Sequence, residues 1–217
     1  MVHADASIFA EGVTKAEAYQ QVLDQVEGLF FEQRNWVCNL SNAASLLWHA
    51  YKSLPSPSNQ VNWAGFYTHD PLSPTHQSTT PTQTQTQKPQ LILGPFQGKV
   101  ACQTIAYGRG VCGAAAASQE TQLVRDVHTF PGHIACDGAS LSEIVVPIVV
   151  PFASSSSSSG QNNKESGSEA GEGTEEKKGR VVAIIDVDCA EVGGFDEVDR
   201  EWLEKLAKVI GEACDWP

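Results

Sequence analysis

Apolar residues in the first quarter of the chain recur every three or four positions, the spacing of an amphipathic helix. The first such stripe runs from Tyr19 to Phe30. It follows Thr14 and Glu17, whose side chains form the capping box that begins many helices. A second stripe, from Val37 to Tyr51, ends before Pro55. We therefore predict two helices before the first strand.

Beyond residue 60 the apolar residues fall in short β-type runs, in which successive side chains point to opposite faces of a sheet. The runs cover residues 61–67, 91–96, 99–106, 122–124, 143–150 and 180–188. Two more helices are predicted, one after the glycine-flanked turn at 108–113 and one over 195–213. This order predicts an α+β fold, a mixed or antiparallel sheet with helices on its faces. Pro147 has no N–H to donate, so we expect it at a sheet edge or a bulge.

Two stretches have a composition that cannot offset the entropy of ordering a packed element. Residues 70–90 are rich in Pro, Ser, Thr and Gln, and residues 153–179 in Ser, Gly, Glu and Lys. We expect both to be disordered loops that replace the turns of β-hairpins. Residues 1–13 lack periodicity and are expected to fray. The 217 residues as a whole, 1–217, fit one domain.

Charge narrows the functions that the chain can have. The formal net charge is −12, whereas nucleic acid and anionic lipid are bound by clustered Lys and Arg. No basic start with an apolar run, and no apolar stretch of membrane-spanning length, is present in the sequence. We expect a cytoplasmic protein, with a nuclear location left open, that binds neither nucleic acid nor membrane.

Six cysteines stand out in a chain expected in a reducing compartment. Disulfide frameworks are rare there, and the spacings do not form the close pairs of a zinc site. Cys38, Cys189 and Cys214 fall in helix or strand patterns, where a free cysteine usually packs as a small apolar residue. The remaining three lie between residues 98 and 143, among glycine turns and a Pro-Gly-His loop, and we predict redox chemistry for them: Cys102, Cys112 and Cys136.

The three cysteines differ in their local settings. Cys112 lies near the start of a predicted helix, and a helix N-terminus stabilises a thiolate. Cys136 lies in a loop close to His133, and Cys102 is near enough in sequence to serve as a resolving thiol. Zinc binding by the three with His128 or His133 is disfavoured, because long gaps separate the ligands.

Aromatic and acidic residues complete the candidate chemistry. Trp63 and Tyr67 flank Gly65 on one face of the first strand, which would leave a small hollow between two rings; plain sheet packing accounts for them equally well. Asp186 and Asp188 share one face of an apolar strand.

The two aspartates and Glu143, which opens the strand after the cysteine loop, suit a ligand ammonium group. One of them, with its pKa raised by its neighbours, could donate a proton. The alternative is that these carboxylates cap loops or pair with Lys.

Seven segments together resemble the free methionine-R-sulfoxide reductases, a family built on a GAF domain. The resemblance spans the whole chain except the two low-complexity stretches and the start. The segments, in order, are NWVCNLSN (35–42), NWAGFY (62–67), LGPFQGKVAC (93–102), GRGVCG (108–113), PGHIACD (131–137), SEIVVPI (142–148) and IIDVDC (184–189).

The resemblance implies a six-stranded, mostly antiparallel sheet in a homodimer that reduces the free amino acid methionine-R-sulfoxide, an antioxidant role. It implies Cys136 as nucleophile and Cys102 as resolving thiol, with Cys112 a third redox cysteine able to take either part. The three carboxylates would hold the substrate ammonium and assist protonation of the sulfoxide oxygen, and Trp63 and Tyr67 would enclose the methylthio end.

Sulfur chemistry then predicts a sulfenic acid, an intramolecular disulfide and recycling by thioredoxin, with no metal or organic cofactor. The sequence is compatible with two other functions. Many GAF domains bind a small molecule and catalyse nothing, so the chain could be a sensor. It could also be a thiol redox switch without a substrate.

Overall fold

A computed structural model describes residues 8–9, 12–73, 89–134, 138–152 and 179–217. Within these ranges the chain forms four α-helices and six strands. The helices are α1 (Lys15–Phe30), α2 (Trp36–Ser53), α3 (Gly110–Ser118) and α4 (Glu197–Ala213). The strands are β1 (Val61–His69), β2 (Gln90–Gly98), β3 (Thr104–Ala106), β4 (Gln122–Val124), β5 (Ser142–Val150) and β6 (Arg180–Cys189).

The strands form one sheet in the order β3-β2-β1-β6-β5-β4, and all neighbouring strands are antiparallel. The predicted α+β class, the order of the elements and the two leading helices are therefore confirmed. The short β4 pairs with β5 only at residues 143–145. At Pro147, β5 therefore pairs with β6 on one side and with no described strand on the other. This is the edge position expected for that proline.

The sheet is covered on both faces by helices, because its central strands are apolar on both sides. On one face α1, α2 and α4 pack over side chains such as Ile144 and Ile185. On the other face α3 packs over the alternate residues, including Val145 and Ile184. The period-two alternation of β5 and β6 thus divides the molecule into two apolar layers.

The helix starts follow local capping chemistry. Thr14 and Glu17 form the predicted capping box, in which the Glu17 N–H donates to Thr14 Oγ1 and the Thr14 N–H donates to Glu17 Oε2. Asp196 caps α4 in the same way with Asp199. The buried Asp199 also pairs with Lys15 Nζ at 2.6 Å, which ties α4 to α1.

Several boundaries differ from the sequence expectations because tertiary contacts order the flanks. Phe9 and Val13, within the start that was expected to fray, pack against the larger core. Asp70 and Gln90, the bounds of the first low-complexity stretch, bond to each other: the Asp70 N–H donates to the Gln90 carbonyl at 2.9 Å. Gln90 already belongs to β2.

The run at 99–106 is a strand only over Thr104–Ala106, and Cys102 lies before it in irregular backbone. The interiors of the two low-complexity stretches, 74–88 and 153–178, lie outside the described residues. Among the described helices, none combines the length and apolarity needed to cross a membrane.

Candidate active site

A glycine-rich turn sets Cys112 at the start of α3. Gly110, the first residue of the helix, has φ +62°, which a side chain would oppose. Gly113 lies so close to β3 that an added Cβ would collide with the Ala106 carbonyl oxygen. The glycines of the GRGVCG segment therefore let α3 begin tightly against the sheet, with Cys112 as its third residue and facing inward.

Three carboxylates come to the same face from two neighbouring strands. Glu143 of β5 lies opposite Asp188 of β6, and Asp188 in turn lies opposite Trp63 of β1. Asp186 lies two residues along β6 on the same side. Glu143 and Asp186 are 6% and 5% exposed and lie beneath α3, whereas Asp188 is half-buried.

Cys112, Glu143 and Asp186 form one buried cluster. The Cys112 thiol donates to Glu143 Oε1 over 3.4 Å. One ligand atom from each of the three residues lies within 4.8 Å of the others. Asp186 Oδ1 is buried and accepts no hydrogen bond from the described residues.

Burial and mutual repulsion favour the protonated forms of this cluster. Burial, with the charges of Asp186 and Asp188 nearby, raises the pKa of Glu143 well above its ordinary value. Burial also raises the pKa of Asp186 to about 7. These shifts favour a protonated carboxyl beside the cavity, and its role as a proton donor stays a prediction.

The Cys112 thiol does not behave as its helix position suggested. Burial, followed by the charges of Asp186 and Glu143, raises its pKa well above the ordinary value. The N-terminus of α3 contributes about half a positive charge, whereas two carboxyl groups lie within hydrogen-bonding range of the sulfur. The expectation that the helix terminus makes Cys112 the thiolate is therefore wrong.

Trp63 and Tyr67 share a face, as predicted, but the hollow between them does not exist. A Cβ on Gly65 would lie 2.7 Å from Phe96 Cα, because β2 approaches β1 closely at a bulge. The Phe96 ring stacks on Trp63 with centroids 5.2 Å apart. Trp63 also stacks on Tyr67. The aromatics form a wall against the sheet, and their predicted contact with substrate stays a prediction.

Hydrogen bonds from this wall hold the segment that carries Cys102. Tyr67 donates its hydroxyl to the Cys102 carbonyl at 3.1 Å, and Trp63 Nε1 donates to the Lys99 carbonyl at 3.1 Å. Cys102 is disulfide-bonded. Cys136, the expected nucleophile, lies outside the described residues, so its role and that of Cys102 stay predictions.

The remaining cysteines are free thiols. Cys189 and Cys214 are buried, as expected for cysteines that serve as small apolar residues. Cys38 is exposed, contrary to that expectation, because it lies on the outer side of α2. None of the three lines the candidate site as described.

A cavity of about 320 Å³ opens over the cluster. Its walls include five of the predicted site residues: Cys102, Cys112, Glu143, Asp186 and Asp188. Trp63 and Tyr67 are not among its described lining residues. A volume of this size suits a ligand of amino-acid dimensions.

Sequence reasoning missed several polar residues of the same cavity: Gln90, Arg109 and Ser140. Gln90 is the last residue of the low-complexity stretch 70–90 and carries no local signal of a site. Arg109 lies between two glycines directly before a helix, a signal that could have placed it at the mouth of the site. His133 also lines the cavity, but neither it nor His128 joins the described cluster of potential metal ligands.

Comparison with known proteins places this arrangement in a family. No protein-family model matches the chain. The free methionine-R-sulfoxide reductase of Saccharomyces cerevisiae, however, is 46% identical over 212 residues, which cover 98% of this chain and 94% of the yeast protein. The chain belongs to the free methionine-R-sulfoxide reductase family.

Solved structures agree with membership of this reductase family and with its GAF fold. A GAF-domain structure that is 45% identical superposes with a TM-score of 0.74, covering 100% of this chain and 98% of the other. The free methionine-R-sulfoxide reductase of Neisseria meningitidis, solved in complex with its substrate, is 32% identical with a TM-score of 0.68 and coverage of 95% and 93%. This chain is therefore a GAF-fold member of a family of oxidoreductases.

Proposed function

We propose that this member of the free methionine-R-sulfoxide reductase family reduces free L-methionine-(R)-sulfoxide to L-methionine and is recycled by thioredoxin. The observation that carries the proposal is the cavity in which a buried acidic cluster meets the disulfide-bonded Cys102. A proton donor and a redox cysteine facing one small cavity are what sulfoxide reduction by thiols needs. The substrate-bound relative from Neisseria meningitidis supports the same use of the fold.

The acidic row would select the free amino acid. Asp186 and Asp188 project from one face of β6 towards the cavity, and a substrate ammonium between them would offset their repulsion. An ammonium also lowers the pKa of adjacent carboxyls, so binding would ionise them. Blocking the amino group removes this charge, so we expect a methionine sulfoxide with a blocked amino group to bind poorly.

The reaction would begin at Cys136, the nucleophile that the motif resemblance implies. Its thiolate attacks the sulfoxide sulfur while Glu143 protonates the sulfoxide oxygen. The S–O bond breaks and the hydroxyl passes to the cysteine sulfur as the bond between the two sulfurs breaks, so methionine leaves and the cysteine becomes a sulfenic acid. The sulfoxide sulfur gains the two electrons that the thiolate loses.

Cys102 would then resolve the sulfenic acid. Its thiol attacks the oxidised sulfur, water leaves, and a disulfide forms. Cys102 is disulfide-bonded, whereas Cys38, Cys112, Cys189 and Cys214 are free thiols. We propose Cys136 as the partner of Cys102 because the motif resemblance implies this pair. Thioredoxin, a dithiol of low potential, would reduce this disulfide for the next cycle. The scheme uses no metal and no organic cofactor.

The cellular setting follows from this chemistry as part of the proposal. Recycling by thioredoxin requires a reducing compartment, so we propose a cytoplasmic enzyme. We propose that residues 1–217 act as one GAF domain and that two chains form a homodimer. Sedimentation of the reduced protein measures the oligomeric state directly.

The test is NADPH consumption with thioredoxin and thioredoxin reductase. The R and S epimers of free methionine sulfoxide are supplied separately, with N-acetyl-methionine-(R)-sulfoxide as the blocked control. We expect turnover of the free R epimer alone. Turnover of none of the three by fully reduced protein would refute the reductase activity and favour a ligand-binding GAF sensor.

A further inference from the structure

The buried cluster of Cys112, Glu143 and Asp186 offers one sulfur and two oxygen atoms that are close enough together to bind one metal ion. Its atoms lie within 4.8 Å of one another, and Cys112 Sγ is 3.4 Å from Glu143 Oε1. A tetrahedral Zn²⁺ with Zn–S of about 2.3 Å and Zn–O of about 2.0 Å holds its sulfur and oxygen ligands about 3.5 Å apart. The closest pair of donors is already at that separation.

An unpartnered acceptor indicates that the cluster is incomplete as it stands. Asp186 is 5% exposed, and its Oδ1 accepts no hydrogen bond from the described residues. Buried acceptors without a partner are rare, because the loss of hydration is not recovered. Asp186 also lines the 320 Å³ cavity, so a cation entering the cavity can reach this oxygen.

We infer that the reduced, substrate-free protein binds one Zn²⁺ at Cys112, Glu143 and Asp186. The donor set decides the metal. A thiolate disfavours Mg²⁺ and Ca²⁺, which take oxygen ligands, whereas Zn²⁺ accepts sulfur and carboxylate together. Three protein ligands leave one position open to the cavity, as in zinc sites that accept water or another small ligand.

Zinc at this position would inhibit the enzyme, a consequence that rests on the proposed function. The ion would occupy Asp186, assigned to the substrate ammonium, and displace the proton that Glu143 supplies. Inhibition would be competitive with methionine sulfoxide and reversed by a chelator. The disulfide of Cys102 would leave the site intact, because Cys112 is a free thiol while Cys102 is oxidised.

Cobalt binding tests the site without any substrate. The reduced full chain is titrated with Co²⁺ under anaerobic conditions, and thiolate ligation is read from the sulfur-to-cobalt charge-transfer band in the near ultraviolet. A background of Cys38→Ser, Cys102→Ser and Cys136→Ser removes the exposed thiol and the two cysteines of the proposed disulfide. We expect one Co²⁺ per chain in this background, displaced by one equivalent of Zn²⁺.

Substitutions in that background locate the ligands. Cys112→Ser should abolish the band, whereas Cys214→Ser, which removes a buried thiol elsewhere, should leave it unchanged. The isosteric changes Glu143→Gln and Asp186→Asn should each weaken binding by at least about tenfold, the loss seen when even outer-shell partners of a metal are removed.

A band that survives Cys112→Ser, or carboxylate variants that bind as tightly as their background, would overturn the site. If Cys112→Ser fails to fold, judged by near-ultraviolet circular dichroism, the two isosteric variants decide the question. Failure here is separate from failure of the proposed function. If the chain reduces methionine sulfoxide but shows no cobalt band, the proposed activity stands and the metal site is refuted. If it shows the band but reduces no methionine sulfoxide, the metal site stands and the proposed activity is refuted.

Discussion

Cys112 Sγ lies 3.4 Å from Glu143 Oε1 and donates its hydrogen to that carboxyl, so the first turn of α3 is bonded to the start of β5. Both residues are buried, and Asp186 adds a second carboxyl to the pair. A thiol surrounded by acids is held protonated, since its thiolate would face like charges in a medium of low polarity. This environment suits proton donation at the cavity better than nucleophilic attack by Cys112.

Replacing Cys112 and Cys136 in turn therefore distinguishes a hydrogen-bond donor to Glu143 from the attacking nucleophile. Cys112→Ser keeps a hydroxyl that can donate to Glu143, so we expect kcat to fall less than about tenfold. Cys136→Ser removes the proposed nucleophile, and we expect a loss of more than about a thousandfold. Cys38→Ser, at an exposed thiol, is the control and should match the parent. A loss of that size in Cys112→Ser, with activity retained in Cys136→Ser, would assign the attacking sulfur to Cys112. The measurement is NADPH consumption coupled to thioredoxin.

Replacing Cys102 should block recycling and spare the first turnover. Cys102→Ser leaves the sulfenic acid without a resolving thiol, so one methionine per chain should form before the reaction stops. Rapid-quench quantification of methionine against enzyme concentration gives this stoichiometry. Sustained thioredoxin-dependent turnover in the variant would show that another cysteine resolves the intermediate.

Glu143→Gln removes the proposed proton donor while preserving size and hydrogen-bonding capacity. We expect kcat to fall by about 10²- to 10⁴-fold, the usual contribution of general acid catalysis. Glu212→Gln, at an exposed position on α4, is the matched control and should leave kcat unchanged. Steady-state kinetics of both variants at one pH suffice, and a Glu143→Gln enzyme with normal kcat would exclude Glu143 as the acid.

The buried acid Asp186 should lower stability as pH rises. Its folded pKa, about 7, is above its ordinary value of 3.8. Ionisation is thus harder in the folded than in the unfolded chain, and stability is lost as pH rises from about 4 through 7. Asp186→Asn removes the cost of ionising this buried carboxyl. In the presence of EDTA, the variant's free energy of unfolding minus that of the parent should be about 1–3 kcal/mol larger at pH 8 than at pH 5.

Urea unfolding of the parent and the variant at a series of pH values measures this difference. A constant difference between them across pH would mean that Asp186 titrates normally in the folded protein.

Gly113→Ala tests the close approach of α3 to β3. The new Cβ would collide with the Ala106 carbonyl, and we expect destabilisation of about 1–3 kcal/mol together with a lower kcat/KM as Cys112 is displaced. Gly28→Ala, at an exposed position of α1 with nothing within 4 Å of the added Cβ, is the control and should stabilise by about 0.5–1 kcal/mol. Urea unfolding of both variants, with kinetics of the first, makes the comparison.

The elements of this fold and many of its site residues could be read from the sequence because they depend on near neighbours in the chain. The capping box at Thr14 and Glu17, the helical stripes and the alternation in β5 and β6 are all such signals. The local sequence signals for the cavity residues Gln90 and Arg109 were weaker. Gln90 lies at the end of a polar tract, and its side chain donates a hydrogen bond to Asp70, twenty residues away.

By itself, the sequence determined the order of the helices and strands, that Asp186 and Asp188 share one face, and the family to which the motifs point. Only the tertiary structure decided that Cys112 meets carboxyls from β5 and β6, that β2 fills the space over Gly65, and that Cys38 is exposed. The physical reason is that the pKa of a thiol depends on burial and on charges reached through space. A helix N-terminus is visible in the local sequence, whereas the carboxyl that opposes its effect on Cys112 lies 31 residues further along the chain.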